Sequence, residues 1–153
     1  MIVEAAQSWP VTPHFVVGED DKFAAFRVAD AALAASGTVT LELAVAGTPM
    51  VVAYRVEPWS APVLRRLIRA PSIVLANLVL GRNVFPEFIQ ERATPELMSA
   101  ALAELVSDTP ARRLQLEALA GIAELMAPPA SSPSVAAAEI VVRLGRGGRN
   151  TAT

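Results

Sequence analysis

Short, continuously apolar runs in this chain alternate with amphipathic segments of helical length, and that alternation limits the folds open to it. Phe15-Val16-Val17 ends on Gly18, Ala31–Ala35 ends on Ser36-Gly37-Thr38, Met50–Tyr54 follows Gly47 and Pro49, and Ser72–Leu75 is the next such run. Between them, Glu19-Asp20-Asp21 opens a helix with the apolar stripe Phe23, Ala24 and Phe26. A second helix runs from Thr38 to Ala46, and a third starts at Pro58 and Ser60 and continues to Arg69. A strand buried on both faces reads as an unbroken apolar run, as a parallel sheet requires. Strands alternating with helices therefore predict an α/β fold: a Rossmann-like parallel sheet with helices on both faces.

After Leu80 the pattern turns helical. Thr94-Pro95-Glu96 opens a helix to Val106, with proline at its first position. Pro110–Met126 and Ser134–Leu144 are two further helices. Residues 1–8 read as the end of a helix, as if the sequence began inside a larger architecture. The expected organisation is a nucleotide-binding domain over 1–127, a linker and C-terminal helix over 128–144, and a flexible tail over 145–153.

Composition removes several classes of chemistry. Hydrophobic residues make up 53% of the chain, which excludes disorder over most of it. The net charge of −2 argues against nucleic acid as a partner. Without cysteine there is no thiolate metal site or thiol nucleophile, and His14 alone makes a histidine cage or a serine–histidine triad untenable. The uncharged apolar runs Leu43–Tyr54 and Ala70–Gly81 fall short of the roughly 20 residues a membrane-spanning helix needs. Lys22 is the only lysine against 12 arginines, so arginine clusters carry little weight by themselves.

The segment from Asp30 to Glu42 carries the clearest chemistry. An apolar run delivers Ser36-Gly37-Thr38 onto a helix N-terminus, where unpaired N–H groups and the helix dipole favour an anion such as a phosphate. Gly37 permits close approach, and the hydroxyls of Ser36 and Thr38 add donors. Glu42 follows Thr38 by one helical turn, where a carboxylate can accept from vicinal ribose hydroxyls. The competing reading makes Thr38 an N-cap and Glu42 an answer to the dipole, although the spacing is one residue too long for a capping box.

Those residues, followed by Gly47-Thr48-Pro49-Met50-Val51-Val52-Ala53-Tyr54-Arg55, resemble the signature of the lipid-A-disaccharide synthase family. The later Ser72-Ile73-Val74-Leu75-Ala76-Asn77, then Gly81-Arg82, Pro86-Glu87 and Gln90, match the same family in order and spacing. The resemblance covers Val11 to Val106; Ala76 departs from it, since many members have proline there. It implies the C-terminal half of a two-domain GT-B glycosyltransferase. That enzyme transfers 2,3-diacylglucosamine from UDP-2,3-diacylglucosamine to 2,3-diacylglucosamine 1-phosphate with inversion. The products are a β-1,6 disaccharide phosphate and UDP.

Carried over by position, Ser36, Gly37 and Thr38 hold the diphosphate, Glu42 holds the ribose, and Arg55, Asn77, Glu87 and Gln90 line the donor or interdomain cleft. The catalytic base belongs to the N-terminal domain, so the isolated chain is expected to be inactive. No cofactor is expected, and the reaction is expected to be metal-independent. The implied location is cytoplasmic, peripheral on the inner membrane, with a homodimer permitted by the Pro128–Pro133 linker.

Other readings stay open at this point. Arg55 also suits a surface ion pair, and Asn77 and Gln90 also suit loop or cap positions. Glu19-Asp20-Asp21 fits a helix start better than a metal site, and His14 fits a structural role. Trp59, Leu64, Leu67 and Ile68 alternate with Arg65, Arg66 and Arg69, which suits a membrane-surface helix or ordinary packing on the sheet. Another GT-B-like UDP-sugar enzyme, or a nucleotide-sugar binding module without catalysis, is the functional alternative.

Overall fold

The computed structural model describes residues 2–56, 71–127 and 132–147. It divides into two compact units, Met1–Ala123 and Glu124–Thr153.

The first unit is built on a parallel sheet of order β1-β2-β3, with β1 Ala32–Ala35, β2 Met50–Tyr54 and β3 Glu87–Ile89. Helix α1 spans Ile2–Ala6, α2 Glu19–Val28, and α3 Val39–Ala46, which crosses from β1 to β2. Helix α4, Leu75–Leu80, precedes β3; α5 spans Pro95–Val106 and α6 Pro110–Leu125. The second unit contains α7, Pro133–Gly147, whose Ile140, Val141 and Leu144 are exposed.

Alternation along β2 explains the layering. Met50 and Val52 point to one face, where they join Ala34, Leu43, Ala44, Val74, Phe85, Leu119 and Ile122 in a core. Val51 points to the other, where Phe88 and Leu105 pack with Met98, Ala101 and Leu102 of α5. All three of these β2 residues are fully buried, which is why the strand is apolar throughout. Helices thus cover both faces, as the fold class predicts.

Polar side chains complete the frame. The Gln115 amide of α6 behaves like a strand neighbour at the start of β2, accepting from Met50 N at 2.8 Å and donating to Met50 O at 3.1 Å. Thr48 Oγ1 donates to Phe26 O at 2.6 Å and ties α2 to the β2 entry. Gly47 ends α3 in the left-handed region, φ 81°, freeing the chain to turn into β2.

Three sequence expectations are corrected. Phe15–Val17 is not a strand: residues 12–17 have no regular structure, and Val17 is 85% exposed. No strand pairs with that run among the described residues, and an exposed run without a ladder partner leaves its backbone to bond water instead of a sheet. Ser72–Leu75 is not a strand either; residues 72–74 form a loop and Leu75 begins α4, because a short apolar run suits a buried helix start equally well. The post-Leu80 segment is not wholly helical, since β3 lies within it. The expected helix from Pro58 to Arg69 lies outside the described residues, as do 128–131 of the linker and 148–153 of the tail. Residues 145–147 continue α7.

Candidate functional site

In a parallel sheet, ligands bind beyond the carboxyl ends of the strands. The register Ala35↔Ala53 and Tyr54↔Ile89 puts the Ser36–Thr38 turn, Arg55 and Gln90 at that one edge. Most of the sequence-derived candidates therefore sit where the topology places a site.

The turn after β1 is open. Gly37 has φ 153°, and a Cβ there would meet nothing within 4 Å among the described residues. The Thr38 carbonyl already accepts from Leu41 N at 2.9 Å and Glu42 N at 3.2 Å, which starts α3. Among the described residues, no group accepts from the backbone N–H of Gly37, Thr38 or Val39. Thr38 is exposed and its side chain makes no cap bond. Ser36 differs: its hydroxyl proton is committed to Ile73 O at 2.7 Å, so it braces the turn and its oxygen can only accept further.

Glu42 lies on α3 one turn beyond Thr38, with its side chain about one-third exposed. Its Oε2 is 3.0 Å from Lys22 Nζ on α2, and the same ammonium is 2.6 Å from Glu19 Oε2. Lys22 also sits 4.9 Å from the centre of the Phe23 ring. Hydrogen bonds to Glu19 first, then to Glu42, hold the Lys22 ammonium above its ordinary pKa. No candidate in the sequence included Lys22. Its spacing from Glu19 was legible as a helical pair, but its contact with Glu42 crosses between helices.

The remaining candidates separate into an exposed group and a braced one. Arg55 is exposed at the end of β2. Gln90 clasps Val56, the residue after Arg55: Val56 N donates to Gln90 Oε1 at 2.9 Å, and Gln90 Nε2 donates to Val56 O at 3.4 Å. It does so with φ 52°, the one positive value at a non-glycine residue among those described. Asn77 is buried with all four hydrogen-bonding positions used. Its Oδ1 accepts from Val84 N and Phe85 N, each at 2.9 Å, and its Nδ2 donates to Phe85 O and Glu87 Oε1, each at 3.0 Å. Glu87 accepts in addition from Ser72 Oγ and, at 3.1 Å, from Ile73 N. Ile73 thus links this network to Ser36, and Asn77 and Glu87 hold the loop that backs the turn.

An open depression of about 500 Å³ runs along β3, lined in part by Asn83, Glu87, Ile89 and Arg92, and does not reach Gly37. Among the described residues no three His, Asp or Glu side chains gather as metal ligands. No helix among them is long and apolar enough to cross a membrane.

The sequence profile of a family described as lipid-A-disaccharide synthetase matches residues 2–141. A lipid-A-disaccharide synthase of Bradyrhizobium diazoefficiens is 54% identical over 146 residues, covering 95% of this chain and 37% of that protein. One from Nitrobacter hamburgensis is 57% identical over 141 residues, covering 90% and 35%. A more distant one, from Gluconobacter oxydans, is 41% identical over 143 residues, covering 94% and 34%. The chain spans a little over a third of the length of these curated relatives.

Proposed function

Given that the chain belongs to the lipid-A-disaccharide synthetase family, we propose that it is the part that binds the UDP-sugar donor. The carrying observation is the open turn: three backbone N–H groups for which no described group is an acceptor, at the positive end of α3, beside a Gly37 whose Cβ position nothing described crowds. A diphosphate seated there has its negative charge met by backbone donors, and Glu42, one turn along, accepts from the ribose hydroxyls. Departure of UDP is the demanding step of sugar transfer, because negative charge accumulates on the diphosphate. Donors fixed before the reaction stabilise that charge without reorganising. Arg55, exposed at the same edge, adds a cation within the same region.

On this reading the donor is UDP-2,3-diacylglucosamine and the acceptor 2,3-diacylglucosamine 1-phosphate. Transfer proceeds with inversion and without a metal. The base that takes the proton from the acceptor hydroxyl comes from the portion of the family's length that this chain does not span. The enzyme works on the cytoplasmic side of the inner membrane, where its acylated substrates partition.

Calorimetric titration of UDP against the wild-type chain and Glu42→Ala tests the binding claim; binding weakened by the substitution supports it, and no binding in either removes it. A nucleotide-sugar binding module without catalysis is the second reading, since the open turn accounts for binding alone. Radiolabelled donor and acceptor distinguish the two: the chain alone is expected not to turn over, and restoration of turnover by adding the remaining part of a relative would argue for the enzyme.

A further inference from the structure

We infer that Lys22 is the positioning residue for Glu42, fixing the carboxylate so that one oxygen is presented to the nucleotide's ribose. The inference rests on the donor-site reading above and adds a residue that neither the motif nor its spacing contains. Helix α2 packs against α3, and the Lys22 ammonium reaches across to Glu42 Oε2 at 3.0 Å. That bond occupies one carboxylate oxygen, and among the described residues Oε1 has no partner. A free glutamate on an exposed helix face samples several rotamers; one tied to a neighbouring helix loses that freedom before the ligand arrives.

The ammonium is itself held in place. Glu19 Oε2 binds it from the preceding turn of α2 at 2.6 Å, and the Phe23 ring lies 4.9 Å from it. Lysine is a flexible point charge, and these two contacts restrict it to the position from which it reaches Glu42.

Calorimetry with three probes separates positioning from a general charge or folding effect: UDP, 2′,3′-dideoxy-UDP and inorganic pyrophosphate. Lys22→Met is expected to weaken UDP by about 5- to 10-fold while leaving the other two within about 2-fold, because only UDP carries the hydroxyls that Glu42 would hold. Lys22→Arg, which keeps a cation able to bridge both carboxylates, is expected to retain most of the affinity. Equal weakening of all three probes by Lys22→Met would overturn the inference in favour of a long-range charge effect or lost structure. An unchanged UDP affinity in Lys22→Met, beside a weakened one in Glu42→Gln, would overturn it while leaving the donor-site reading intact. A wild-type chain that does not bind UDP would instead remove the donor-site reading and this inference with it.

Discussion

Replacing Asn77 by alanine tests whether the network behind the turn is structural. The side chain uses both lone pairs of Oδ1 on Val84 N and Phe85 N and both protons of Nδ2 on Phe85 O and Glu87. Alanine leaves two backbone donors without acceptors where Phe85 is 1% exposed, and water has little access to replace what is lost. A buried donor stranded in this way costs about 1–3 kcal/mol, so the pair together with the residual cavity amounts to about 3–5 kcal/mol. That is a large fraction of the roughly 5–15 kcal/mol that holds a typical domain. Asn77→Asp refines the test: its carboxylate can still accept from both backbone N–H groups, but it cannot donate to Phe85 O and it faces Glu87. Its expected cost is about 2–4 kcal/mol. Urea denaturation followed by far-UV circular dichroism measures both variants. A loss under about 1 kcal/mol for Asn77→Ala would refute the reasoning and return Asn77 to the list of ligand contacts.

Three further outcomes are expected. Gln115→Leu strands Met50 N and O at the start of β2 and should cost about 2–4 kcal/mol in the same urea assay, although the substitution adds apolar bulk. Gly37→Val places a branched side chain at φ 153° and in the space above the turn; UDP affinity by calorimetry should fall by at least about 10-fold. Adding magnesium or a chelator should leave UDP affinity within about 2-fold, since the proposed cradle uses backbone donors rather than a cation bridge.

How much could be read from residues alone depended on how local the determinants were. β2 was legible because all of its first three residues are buried, giving an unbroken apolar run with a glycine and proline just before it. Helix α3 was legible because Gly37 and Gly47 punctuate both its ends. The run Phe15–Val17 has the same local appearance as a strand and lacks only a partner, which no local pattern encodes. β3 escaped notice for the opposite reason: it is three residues long and opens with a glutamate that is directed into a polar network. The candidate site divides along the same line. The turn and Glu42 are close in sequence, so their placement on one helix followed from spacing. That Ser36 spends its proton on Ile73, that Asn77 and Gln90 serve the backbone, and that Lys22 meets Glu42 are contacts between separate segments. Motif spacing names such residues or misses them, but does not say what they touch.

The central claim is that a diphosphate seats on the amides of Gly37, Thr38 and Val39. Amide-resolved nuclear magnetic resonance of the 153-residue chain, titrated with UDP, addresses it directly. The account predicts that the largest shifts fall on those three amides, with smaller ones at Glu42 and Arg55. Shifts concentrated along β3 around Asn83 and Arg92, or none at saturating UDP, would contradict it.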